Sequence, residues 1–392
     1  MPGEPTVAPW RRPVQSVKGA MAAVAERYRG APRGARAGMN VVFIALAALL
    51  PTILPYVTTN DAYYTQILTK IGIAALLALG LNVVVGFAGL LDLGYVAFFA
   101  VGAYAFAVLT GSASRAVAVF AHPSGPFPPA PVWHQYFWLF FFLALGIAVL
   151  SGVLLGAPTL RLRGDYLAIV TLGFGEIVRI TANNLDSFDN GAQGINDIPH
   201  PVIAVGGLHY DFGVSNPPYY YLLLGIIVLW IFLLRRVNDS RVGRAWAAIR
   251  EDELAAAAMG IPTVRMKLLA FAMGAAVASL GGVIYASQIA FISPDTFTLF
   301  NVDFGSVIIL SMVVLGGMGG IAGPILGAAL IIFLPEQLRF LSDARLLVFG
   351  AVLVVMMILR PQGVIPSRRR AAELTGAEVH DASVFEVQEH AR

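Results

Sequence analysis

The 392-residue chain contains no cysteine, which excludes disulfides and thiolate metal sites and leaves the redox compartment unreadable. Charge is scarce. Charged residues make up 12% of the chain against 58% hydrophobic, and the mean hydropathy is +0.75, far from the balance of a soluble domain. Lysine occurs only at positions 18, 70 and 267, and none of the three follows a glycine in a GxxxxGK[ST] pattern. A phosphate-cradling P-loop is therefore missing. The six histidines, His122, His134, His200, His209, His380 and His390, fall in expected loops or the tail, so no metal cluster is visible. No His, Ser or carboxylate group has catalytic spacing. The basic residues flank apolar segments without interleaved exposed aromatics, which fits membrane-surface charges and not a nucleic-acid face.

Long apolar runs dominate what remains. Spans are expected at Met39–Val57, at Gln66 to about Gly86, at Leu90–Leu109, from Tyr136 through about Leu155, and at Tyr166–Thr181. Further spans follow at Tyr219–Leu234, Arg265–Ala290 and Leu347–Leu359. Phe304–Leu334 is interrupted by GGMGGIAGP and reads as two short spans. The fold class is accordingly an all-α polytopic membrane protein of about ten transmembrane helices, some of them short or broken. A basic tail, 1–38, expected to be disordered or to lie on the membrane surface, precedes this apolar region, 39–366, and a polar tail, 367–392, expected to be disordered, follows it.

Arginine placement sets the orientation. The basic N-terminal tail, the Arg161/Arg163 turn, the Arg235–Lys267 loop and Arg368–Arg370 belong on the cytoplasmic side. Loops nearly free of Lys and Arg, above all Ala182–Pro218, belong outside. Both termini inside requires an even number of spans, which the broken reading of Phe304–Leu334 supplies.

The main cytoplasmic loop holds Ser240–Ile261, SRVGRAWAAIREDELAAAAMGI. Its Ala, Glu and Arg content predicts a short helix outside the bilayer, stopped by Gly260 and Pro262. Such a helix serves either as a solvated surface element or as a contact for a soluble partner. Elsewhere two glycine-interrupted stretches stand out, Gly86–Gly102 and Gly305–Gly327, and paired interruptions of this kind point to a substrate path. Asp92 lies inside an apolar run, where an acid needs a polar cavity or a partner. Glu176 and Arg179 share a helix face and either pair structurally or line a pathway. The acids Asp92 and Glu176 also permit a second reading, an ion-coupled secondary carrier with those two residues as ion sites.

Five stretches in order resemble one family. GLNVVVGFAGLLDLGYVAFFAVGAYAFAVL (Gly80–Leu109) is similar to the segment shared by permeases of branched-chain amino acid ABC importers. RLRGDYLAIVTLGFGEIVRI (Arg161–Ile180), NGAQGINDIP (Asn190–Pro199), Ser240–Ile261 and VLGGMGGIAGPILGA (Val314–Ala328) resemble the larger membrane subunit of that family. The resemblance covers about Met39–Pro366. It implies an inner-membrane, non-catalytic subunit that pairs with a second related permease, docks two separate ATPase subunits and receives substrate from a periplasmic binding protein. It implies no cofactor and no nucleic-acid partner. The segment Arg250–Gly260 then corresponds to the coupling loop, with Arg250, Glu251, Glu253 and Gly260 as ATPase-coupling residues. Asn82, Asp92, Glu176 and Asp303 are the residues expected to line or gate the path. Branched-chain amino acids are the favoured cargo, with other amino acids, amides and urea as the range of related permeases.

Overall fold

In the computed structural model the described residues are 42, 44–53, 61–111, 137–159, 165–186, 190–205, 208–337, and 347, 348, 350, 351, 354, 355, 358 and 363–365. The expected tails, the Arg161/Arg163 turn and nearly half of the last expected span lie outside them. The chain divides into two compact units, Met1–Asp61 and Ala62–Arg392. The described part of the first is a short apolar helix, α1 (Ile44–Ile53), in which Thr52 Oγ1 donates to the Leu49 carbonyl at 2.8 Å.

The second unit is built from apolar helices. α2 (Asp61–Leu81) runs on into a wider π-helical turn, Asn82–Phe87, and the continuous span Ala62–Phe87 is long enough to cross a bilayer. α3 (Val96–Thr110) is half that length. α4 (Phe137–Thr159), α5 (Asp165–Asn184) and α6 (Asn216–Asn238) follow. Two short helices, α7 (Arg241–Glu251) and α8 (Glu253–Ala258), lead to α9 (Thr263–Ile289), and α10 (Ser306–Gly316) and α11 (Ala322–Gln337) complete the set. Together these make an all-α polytopic membrane protein.

Burial separates the helices into two kinds. α3 and α9 are apolar all round and form the centre, with Phe98, Phe99, Phe106, Phe271, Ala275 and Ala278 almost fully buried. Small residues along their contact, Gly102, Ala103, Ser279 and Gly282, let the two backbones approach closely. α4, α5 and α6 instead turn Leu139, Phe142, Leu154, Ile169, Ile177, Leu229 and Phe232 outward. Exposed apolar stripes of that size on a chain this hydrophobic are surfaces for lipid or for a companion membrane subunit.

One expected span is corrected. Leu90–Leu109 is not a single helix, because Ala88–Tyr95 is non-helical and the helix begins at Val96. Asp92 Oδ1 accepts the N–H of Gly94 at 2.9 Å, and Thr171 Oγ1 on α5 accepts that of Leu93 at 3.1 Å. Local side-chain bonding of this kind offers the backbone an alternative to the helix ladder. The division of Phe304–Leu334 is found as expected, with Gly317–Ile321 between α10 and α11. The starts of the half-length helices meet, the Val96 N–H donating to Ser306 Oγ at 2.9 Å.

The two ends of the unit differ. One carries small strands: β1 (Ile195–Asn196) pairs antiparallel with β4 (Phe291–Ile292), and β2 (Val202–Val205) with β3 (Leu208–Asp211). Tyr219 at the start of α6 donates to the Ser287 carbonyl near the end of α9 at 3.0 Å, and Ser287 Oγ donates to the Pro199 carbonyl at 2.9 Å. The loop expected on the outer side is thus pinned to the helix ends at these residues. The opposite end carries α7 and α8.

Candidate functional site

Ser240 starts α7 by accepting the Val242 N–H on its side chain at 3.1 Å. The segment expected to be one helix is two. Asp252, extended at φ −153° and ψ 112°, ends α7 and caps α8, its Oδ1 accepting the N–H groups of Leu254 at 2.8 Å and Ala255 at 3.0 Å. Aspartate satisfies orphan N–H groups better as a cap than it serves inside a helix, so the chain turns there. The stop at Gly260 is as expected. Its φ of +82° lies in the left-handed region, and Ile261 N–H returns to the Ala256 carbonyl at 3.1 Å.

The inner face of this element is bonded to the membrane helices. Trp246 is fully buried and its Nε1 donates to the Met266 carbonyl at the start of α9 at 2.7 Å. Arg250 Nη1 donates to the Gly86 carbonyl, in the π-helical turn that ends the first long span, at 2.8 Å. Lys267 on α9, only 3% exposed, pairs with Glu253 Oε1 at 2.5 Å. Of the four residues named from sequence, Arg250 and Glu253 therefore point toward the bundle, while Glu251 and Gly260 are exposed. The outer face also presents Leu254, 62% exposed, and Met259, 84% exposed.

Four residues upstream of Gly86, the carboxamide of Asn82 clasps the second glycine-rich break. Its Nδ2 donates to the Gly320 carbonyl at 2.8 Å, and its Oδ1 accepts the Gly319 N–H at 2.9 Å. Asn82 is fully buried, and a buried amide that both donates and accepts ties two irregular backbones whose polar groups would otherwise face apolar surroundings. The paired interruptions are thus in contact through one side chain, and Arg250 connects them to α7.

The remaining candidates separate. Asp92 is fully buried at the start of α3, one carboxylate oxygen taken by Gly94. Glu176 is held by Arg179, whose Nε donates to Oε1 at 3.0 Å and Oε2 at 3.1 Å on α5. Asp303 pairs with Lys70 on α2, Oδ2 to Nζ 3.1 Å. Sequence reasoning missed Lys70, Lys267 and Trp246. The lysines carried a usable signal, because each stands within or at the edge of an apolar run, where an ammonium needs a partner.

Apolar helices around a small-residue core, two clasped backbone interruptions and a charged element seated at their end define a membrane permease. The chain belongs to the branched-chain amino acid transport system permease component family, whose model matches residues 63–359. It is 37% identical over 360 residues to the high-affinity branched-chain amino acid transport system permease protein LivM of Salmonella typhimurium, covering 86% of this chain and 77% of that protein. It is 38% identical over 356 residues to the Escherichia coli protein of the same name, covering 85% and 76%. The ribose import permease protein RbsC of Escherichia coli is 24% identical over 328 residues, 81% of this chain and 91% of that one. No solved structure matches.

Proposed function

We propose that this chain is the larger membrane subunit of an ATP-driven importer of branched-chain amino acids in the bacterial inner membrane. The likeness to LivM over 86% of the chain carries this reading. It is non-catalytic by itself, completes a pore with a second related permease, docks two ATPases and takes cargo from a periplasmic binding protein. The α7–α8 end is cytoplasmic, as the arginines of Arg235–Lys267 require, and both termini lie on that side. Residues 39–366 form the permease domain between two tails.

Within this reading the exposed face of α7–α8, with Glu251, Leu254, Met259 and Gly260, meets an ATPase. Arg250 and Glu253 carry its movement inward. Asn82 gates the path by holding the two breaks together, and Asp303 lines it. Asp92 and Glu176 serve structure instead, because Glu176 is occupied by Arg179 and Asp92 is enclosed at the start of α3. The Arg179 pairing takes Glu176 from the ion-coupled carrier, and the family match favours the importer over it.

Purification of the tagged chain from native membranes, with its companions identified by mass spectrometry, tests the assembly. A second permease and ATPase chains are expected, and uptake of leucine, isoleucine or valine by the reconstituted complex should require ATP and binding protein. A chain that purifies alone and transports in ATP-free liposomes under an ion gradient would overturn the reading.

A further inference from the structure

Lys70 and Asp303 form an ion pair at 3.1 Å whose side chains remain 30% and 51% exposed. Its depth makes that exposure informative. Lys70 lies about 12 Å along the helix from Ala62, in a span of about 39 Å at 1.5 Å per residue. With an apolar core of about 30 Å centred on that span, the pair sits several ångströms inside the hydrocarbon zone. A lysine alone can snorkel from such a depth. Aspartate, with a single methylene, cannot, and the 3.1 Å contact holds the ammonium beside it. An exposed carboxylate at this level faces a polar route, not lipid.

The surface of α2 agrees. Tyr63, Gln66 and Lys70 recur at helical spacing on one stripe that is open or half-open, whereas every residue from Gly72 to Gly86 is buried. Tyr63 OH donates to Glu336 Oε2 on α11 at 2.8 Å. The open part of α2, which also includes Leu68 and Ile71, therefore starts at the stranded end, carries these three polar side chains, and closes just past Lys70. Asp303 is rigidly presented there, because Asn301 Oδ1 accepts the N–H groups of Asp303 at 2.9 Å and Phe304 at 3.1 Å. Val302, 53% exposed, adds an apolar contact next to the carboxylate.

We propose that Lys70 and Asp303 are a zwitterion subsite on the translocation route, a refinement that rests on the importer reading above. The pair opens to take the carboxylate of a free amino acid on Lys70 and its ammonium on Asp303. One neutral set of paired charges is exchanged for another, so no unpaired charge is left in a weakly solvated passage. A neutral amide or urea cannot make this exchange.

The test uses the complete complex of this chain with its companion subunits in liposomes, supplied with leucine-loaded binding protein. K70M and D303N should assemble, with a modest drop in melting temperature from the charge left unpaired, yet lose uptake by about tenfold or more, since each leaves one end of the cargo unmatched. K70R should retain most uptake, because the positive charge remains. The exchanged pair, K70D with D303K, should assemble but not recover transport, since it would hold the amino acid reversed. Uptake within about twofold of the natural complex in both single variants would overturn the subsite, because one lost charge-assisted hydrogen bond already exceeds that. Recovery of transport by the exchanged pair would make it a structural ion pair, and failure of the variants to assemble would make it a contact between permeases; either also overturns the subsite. A natural complex idle with leucine, isoleucine and valine would instead overturn the importer reading, and this site with it.

Discussion

The guanidinium of Arg250 and the carbonyl of Gly86 are joined by a 2.8 Å hydrogen bond between residues 164 positions apart. The bond links α7 to the π-helical turn that ends the long apolar span Ala62–Phe87. That turn contains Asn82, whose carboxamide holds the Gly319–Gly320 break. Under the proposed importer reading, a displacement of α7 would reach both interruptions along these hydrogen bonds.

Replacing Arg250 by Ala removes a charge-assisted hydrogen bond worth about 1.5–3 kcal/mol. The complex should still assemble, because Trp246 and the Glu253–Lys267 pair continue to seat the element. Stimulation of ATP hydrolysis by the loaded binding protein should fall together with uptake. R250K should recover only part, since an ammonium lacks the planar fork that reaches the carbonyl. Uptake unaffected in R250A would show that Arg250 transmits nothing.

Much of this arrangement was legible in the sequence, for identifiable reasons. Span positions follow from apolar run length, and the break at Gly317–Ile321 follows from its glycines together with the charge rule. The helix stop at Gly260 follows from a residue type that alone adopts positive φ freely. The late start of α3 was not legible, because it depends on Thr171, distant in sequence, accepting a backbone N–H that a continuous helix would use internally. Likewise the inward direction of Arg250 and Glu253 depends on Gly86 and Lys267, which no local pattern associates with them. Charged residues on a surface segment read as outward-facing until their buried partners are known.

Asn82→Ala leaves the Gly319 N–H and the Gly320 carbonyl without their partner. Unsatisfied buried groups of this kind are each worth about 1–3 kcal/mol, so the melting temperature in detergent should drop. Asn82→Asp should destabilise at least as much at neutral pH, because a carboxylate would face the Gly320 carbonyl oxygen in place of a donor. Melting temperatures of both variants equal to the natural chain's would remove the clasp as a stabilising contact.

Lys267 and Glu253 form an asymmetric pair, the lysine nearly enclosed and the glutamate one-third exposed. Glu253→Gln leaves an ammonium in an apolar setting with weakened compensation, and breaking such a pair destabilises by up to about 3–5 kcal/mol, less here because one partner meets solvent. Glu253→Gln combined with Lys267→Met should recover a large part of that loss, as the aliphatic stem is kept and the charge is gone. A double-mutant cycle on thermal stability measures the difference. Strict additivity of the two changes would mean that the pair contributes no coupling.

Leu254 and Met259 test the outer face. Both are exposed, at 62% and 84%, so substituting either by Asp should change the stability of the chain by no more than about 0.5 kcal/mol. Docked against an ATPase, each apolar side chain would contribute about 1.5–3 kcal/mol on full burial. L254D and M259D should therefore release the ATPase from detergent-solubilised complexes while leaving this chain paired with its companion permease. Glu251→Lys should act more weakly and mainly at low salt, as expected of a charge at a wet rim. Equal retention of the ATPase by L254D, M259D and the natural chain would move the docking face elsewhere. Greater sensitivity at Glu251 than at either apolar position would make the contact electrostatic, and its affinity would then fall steeply with added salt.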